Sequence, residues 1–243
     1  MSRFGEADDP RRRLLIQALA AGFFMDGLGR SEALAQLFGS TPGKLPAGRS
    51  IYRVSGTAMV DGKPATLETR VTGRSTLETG KNSELVYAVG ESAFVLRADS
   101  RIVLETAQPD SVILSGLRVI SGKILSVFAS KRPLQIRAAT ATIGIRGTGV
   151  YIEADPEQTY FCTCYGVADI TSAKDPESQE TVAALHHDRP VYVTNDAQPG
   201  RNIRSAPFIN HTDQELSLIE TLVGRRTPFV FSGTTYTGPR RTY

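Results

Sequence analysis

The sequence predicts an all-β fold: stacked short strands in a sandwich or short β-solenoid, with one C-terminal helix and an N-terminal signal helix. Three observations carry this. Turn residues recur roughly every eight to twelve positions from Ile51 to Ile170, the spacing of sandwiches and barrels. Between turns the residues alternate, as Leu134, Ile136 and Ala138 do with Gln135, Arg137 and Ala139, the period of a half-buried strand. The run Ile143-Gly144-Ile145-Arg146-Gly147-Thr148-Gly149 then sets three glycines within six residues, a density that marks positive backbone angles or close backbone approach.

In chain order, Arg11-Arg12-Arg13-Leu14-Leu15 has the form of a twin-arginine export signal. The apolar run 14–25 is the length of a signal core and short of the ~20 residues that span a bilayer. Ala33-Leu34-Ala35 offers a small-x-small cleavage site. Residues 1–35 are therefore expected to be an export signal or an anchor in transient membrane contact, and the protein periplasmic. Residues 36–49 form a Gly/Pro loop. Strands are expected over 51–60, 66–71, 75–79, 84–89 and 93–97, punctuated by Asp61-Gly62, 79–83 and Gly90-Glu91. Further short strands are expected at 102–105, 112–114, 117–120, 124–129 and 134–139. After the glycine corner come Val150–Glu153, a turn at Asp155-Pro156, Tyr160–Tyr165 and, beyond Gly166, Val167–Ile170. Residues 172–180 read as a polar loop, 190–194 as a last strand and 196–202 as a loop. Thr212-Asp213-Gln214-Glu215 is a capping box. Leu216, Ile219, Leu222 and Val223 follow on one helical face, and Gly224 stops the helix.

The balance of 28 basic to 25 acidic residues is too even, and too scattered, to favour nucleic acid. No G-x-S-x-G, H-E-x-x-H or dinucleotide fingerprint occurs. Asp99, Glu105, Glu153, Asp155 and Asp169 are scattered, and three histidines leave few acid–base options near neutrality. The expectation is a non-enzyme.

An ordered set of motifs resembles the FecR-type periplasmic domain. These are Thr79-Gly80-Lys81-Asn82-Ser83, Gly90-Glu91-Ser92, Phe94-Val95-Leu96, Gly122-Lys123-Ile124, Ala141-Thr142-Ile143-Gly144-Ile145-Arg146-Gly147-Thr148, and Tyr165-Gly166-Val167. They span residues 48–172. The resemblance implies an exported, non-catalytic β domain that serves interaction or signal relay with an unidentified envelope protein. Residues 1–13 alone precede the apolar run, so a stand-alone domain without an anti-sigma segment is expected. Residues 173–210 read as a β extension, and 211–243 as a capping helix and extended tail.

Two groups of residues invite chemistry. Gly144, Arg146, Gly147 and Thr148 could cradle an anion, but the P-loop lysine is missing, and the expected role is a structural corner. Cys162 and Cys164 would project from one face of a strand with Cα atoms ~6.5–7 Å apart, at or beyond the reach of an unstrained disulfide. Three readings stay open for the pair: inert core thiols, a redox pair, or two legs of a metal site completed by one of His186 and His187. The last would suit zinc or copper; otherwise no cofactor is expected. Tyr151, Tyr160, Phe161 and Tyr165 are expected as core and cross-strand pairs rather than a carbohydrate-binding platform.

Overall fold

The computed structural model describes residues 43–108, 111–129, 133–195 and 199–229. The export signal with Arg11 and Arg12, and the tail beyond Phe229, lie outside them. The described chain is all-β with one C-terminal helix. The strands are β1 (Ile51–Ser55), β2 (Ala58–Val60), β3 (Lys63–Pro64), β4 (Thr76–Thr79), β5 (Glu84–Val89), β6 (Ser92–Leu96) and β7 (Arg101–Thr106). They continue as β8 (Leu114–Val127), β9 (Leu134–Arg137), β10 (Ala141–Ala154), β11 (Gln158–Ser172), β12 (Gln179–Ala184), β13 (Val191–Thr194) and β14 (Ile203–Ser205). Helix α1 covers Asp213–Leu222.

All fourteen strands belong to one hydrogen-bonded sheet, and three long strands divide it. The first half of β8 pairs with β7 and β9, and its second half with β6 and β10. The first half of β10 pairs with β9, its second half with β8. The first half of β11 pairs with β13, its second half with β12. Each strand changes partners at a glycine with positive φ: Gly122 (91°), Gly147 (56°) and Gly166 (93°). A side chain would resist that backbone conformation. Ile143 and Leu117 from one half of the sheet, and Ile152, Phe94 and Phe161 from the other, meet in a common apolar core.

The glycine corner is thus a bulge within one continuous strand. Register slips between Arg146 and Gly149 and again before Val150. Gly149 has no room for a Cβ, which would overlap the Tyr165 ring. Gly144 has an ordinary φ and no tight neighbour. Arg146 is exposed and Thr148 buried, and the Thr148 carbonyl accepts from Phe128 N at 3.0 Å. The corner positions strands.

Several expected boundaries shift. The strand expected over 51–60 is broken at Gly56, φ 71°. The strand expected over 66–71 is a turn, in which Thr66 N donates to Thr69 Oγ1 at 2.9 Å. The strand β12 begins at Gln179, inside the loop expected over 172–180, and β14 lies within the expected extension. Asp61 and Gly62 both take positive φ in the β2–β3 hairpin, as a tight primed turn requires.

Strand alternation sends Phe161 into the core and Tyr160, Cys162 and Cys164 to the opposite face. Those residues are nevertheless 1%, 0% and 0% exposed, because the chain from Pro207 onward covers them. Tyr160 donates its hydroxyl to the Pro207 carbonyl at 3.0 Å. Beyond it, α1 lies on β5, β6 and β8. Leu216, Ile219 and Leu222 are buried beneath the helix, and Arg97 pairs with Glu215 at 2.9 Å. Thr212 and Glu215 cap the helix reciprocally, and Gly224, φ 74°, ends it.

Candidate metal centre

The covered face of β11 holds the most concentrated set of metal-ligating groups among the described residues. Cys162 and Cys164 share a face of a central strand. His187 sits in the turn between β12 and β13, held by its own N–H donating to the Cys164 carbonyl at 2.9 Å. His211 immediately precedes the capped start of α1. The two sulfurs and two ring nitrogens all lie within 4.8 Å of one another. The individual separations are 3.5 Å from Cys162 Sγ to His187 Nδ1, 3.4 Å from Cys164 Sγ to His211 Nε2, and 3.2 Å between the two histidine nitrogens.

These lengths can be compared with a tetrahedron around zinc. Zn–S of ~2.3 Å and Zn–N of ~2.0–2.1 Å give N–N edges of about 3.3 Å and S–N edges of about 3.6 Å. The three separations lie within about 0.2 Å of these edges.

The outer hydrogen bonds fix the proton positions. His211 Nδ1 faces the Ile209 carbonyl at 2.7 Å. A carbonyl only accepts, so Nδ1 carries the proton and Nε2 presents a lone pair. His187 Nε2 faces Asp213 Oδ1 at 2.9 Å, so Nδ1 presents its lone pair inward. Two imidazole lone pairs therefore point at each other and at two sulfurs. The Cys162 and Cys164 thiols can donate to these nitrogens, or a metal ion can take the place of the thiol protons.

Electrostatics agrees. Burial opposes ionisation of Cys162, but hydrogen bonds from Cys164, His187 and His211 outweigh it and hold the thiol well below its ordinary range. Burial and the neighbouring Cys162 push the Cys164 thiol up. Burial works against charge on His187, yet its bonds to Asp213 and Cys162 prevail and raise it to about 9. Burial would raise Asp213, but His187 and His186 hold it below the usual carboxylate value. Binding of a metal would release protons from these groups.

The backbone is bent to build the site. His187 takes φ 54° and Asn210 takes φ 59°, a conformation that costs a non-glycine residue about 1 kcal/mol or more. Asn210 is kept there by donating to Glu153 Oε1 at 2.6 Å, an oxygen that also accepts from Tyr151 at 2.6 Å. Tyr151 stacks on the His211 ring, centroids 4.4 Å apart and 20° from parallel. Phe208 closes the other side, 4.5 Å from His211 and 4.2 Å from His187. The imidazoles are thus oriented by carboxylate, carbonyl and aromatic neighbours, the usual surroundings of metal ligands.

Of the sequence-predicted residues, the structure brings Cys162, Cys164 and His187 together. His186 is placed one step outward, its Nε2 2.9 Å from Asp213 Oδ2. Gly144, Arg146, Gly147 and Thr148 take no part. His211 and Asp213 were not anticipated. A signal existed: His211 occupies the position before an N-cap where an apolar staple residue is usual, so a histidine there is out of place unless it has a partner.

No protein-family profile and no curated protein matches the sequence. Two crystal structures of a proposed anti-sigma factor from Parabacteroides distasonis are similar, at 13% and 14% identity and a TM-score of 0.43 each. The similarity covers 54% of this chain and 58% of that one. The chain therefore spans little more than half of the neighbour's length, and the likeness says nothing about its function.

Proposed function

We propose that this protein is a non-catalytic β-domain whose Cys162, Cys164, His187 and His211 bind one divalent metal, zinc by ligand preference. The observation that carries this is the convergence of two sulfurs and two imidazole nitrogens within 4.8 Å of one another, three of their separations lying near tetrahedral edges. Two thiolates and two neutral imidazoles neutralise a dication, whereas a monovalent copper ion would leave a net negative charge buried. With four protein ligands, each at most 9% exposed, no position is left open for substrate, the pattern of a structural rather than a catalytic zinc. The metal fastens the segment before α1 to the sheet. The test is elemental analysis of protein purified without chelator. About one zinc per chain, lost in a Cys162→Ser, Cys164→Ser variant, supports the reading; absence of metal with both thiols titratable contradicts it.

The ordered motifs across 48–172 and the twin-arginine pattern at Arg11-Arg12 support a wider setting for the same domain: export, then interaction with or relay to another envelope protein. Cell fractionation tests the location. Accumulation in the periplasm, abolished by Arg11→Lys with Arg12→Lys, is expected; an entirely cytosolic product contradicts it.

A further inference from the structure

We propose that metal enters and leaves the buried centre through an outer, solvent-facing divalent-cation site formed by His186 and Asp213. This rests on the reading of Cys162, Cys164, His187 and His211 as the metal centre. Among the contacts of the four inner ligands, those of His211 Nδ1 and of Cys164 Sγ end on backbone carbonyls, at Ile209 and Cys162. His187 differs. Its outward nitrogen meets Asp213 Oδ1, and the second oxygen of that carboxylate meets His186 Nε2, also at 2.9 Å. The His186 side chain is 46% exposed. This chain of donors leads from the inner tetrahedron to solvent through groups that are all metal ligands.

The local backbone is arranged for it. In an extended segment His186 and His187 would point to opposite faces. Instead Asp188 Oδ2 accepts from Leu185 N and His186 N, and His187 adopts a left-handed φ of 54°. Both rings then converge on one carboxylate. Orienting His187 needs only Oδ1 of Asp213, so that requirement does not explain His186. Its ring is steadied by Phe229, centroids 4.5 Å apart. Nitrogen and oxygen donors in adjacent positions on a cation at ~2.1 Å lie about 3.0 Å apart, close to the 2.9 Å seen between His186 Nε2 and Asp213 Oδ2. A hydrated dication exchanging water for these two atoms stands next to His187. When Asp213 releases the His187 ring, the ion passes inward to the sulfurs, and the protons it displaces from His187 and the Cys164 thiol go to solvent. Departure reverses the steps.

The experiment follows zinc loading of the metal-free full chain and zinc release to excess chelator, both by stopped flow. It compares the wild type with His186→Gln, which retains a hydrogen-bond donor, and with His186→Phe, which retains a ring beside Phe229. Both variants are expected to slow loading and release by the same factor, which leaves equilibrium affinity unchanged. Unchanged rates overturn the proposal. So does faster release with proportionally weaker affinity, which would make His186 a mere support for Asp213. Failure of the wild type to hold zinc would instead sink the inner-centre reading and this one with it.

Discussion

Replacing His211 by alanine separates ligation from packing. A structural zinc site of this kind binds with apparent free energy of about 10–16 kcal/mol. Shared over four ligands, one is worth roughly 2.5–4 kcal/mol, a factor of about 10² to 10³ in affinity. The substitution also uncovers the Tyr151 ring, 4.4 Å away, and leaves the Ile209 carbonyl without its donor. That packing loss adds about 2–3 kcal/mol of destabilisation even without metal. Two assays distinguish the contributions: chelator competition for affinity, and urea unfolding with and without zinc. In the wild type, zinc raises stability according to its concentration relative to its dissociation constant. In the variant most of that gain disappears. Affinity within threefold of wild type, or an equal stability loss with and without zinc, would refute the assignment of His211 as a ligand.

Other expectations follow from the same structure. Gly149→Ala drives a methyl group into the Tyr165 ring, whose hydroxyl is anchored on Glu220. It should cost about 1–3 kcal/mol in urea unfolding, whereas Gly144→Ala, with no tight neighbour, should be well tolerated. Zinc affinity should fall as pH is lowered. His187, raised to about 9, and Cys164, also raised, hold protons near pH 7 that zinc must displace, and each released proton contributes about one decade in affinity per pH unit. Calorimetry in buffers of different ionisation enthalpy counts them. In the metal-free protein the raised His187 value works in the opposite sense. Its contribution to folding is fully present below pH 6.5, the ordinary histidine value, and is lost as pH rises through about 9. Thermal unfolding of metal-free protein across that window checks the sign.

The strand content was legible because alternation and turn residues are local. Asp61-Gly62 and Gly90-Glu91 mark hairpins through backbone preferences that act over four residues. The continuity of β8, β10 and β11 was not legible. Gly122, Gly147 and Gly166 bend each strand without ending it, and a glycine that bends reads the same as one that terminates. The bounds of the edge strands β12 and β14 were not legible because Gln179, Thr181 and Arg204 face solvent and mark no apolar pattern. Three of the four residues of the candidate metal centre stood among those expected, since i and i+2 on a strand must share a face and a histidine pair stood nearby. Choosing His187 over His186 depended on a left-handed turn, and finding His211 depended on where α1 returns to the sheet. That contact closes over 47 residues from Cys164, a distance no local pattern encodes.

The most direct measurement is the electronic spectrum of the protein reconstituted with cobalt(II). A two-sulfur, two-nitrogen tetrahedron predicts intense visible ligand-field bands and sulfur-to-cobalt charge transfer, saturating at one equivalent and displaced by zinc. Weak bands typical of six oxygen or nitrogen donors, or no charge transfer with both thiols free, would contradict a buried centre of Cys162, Cys164, His187 and His211.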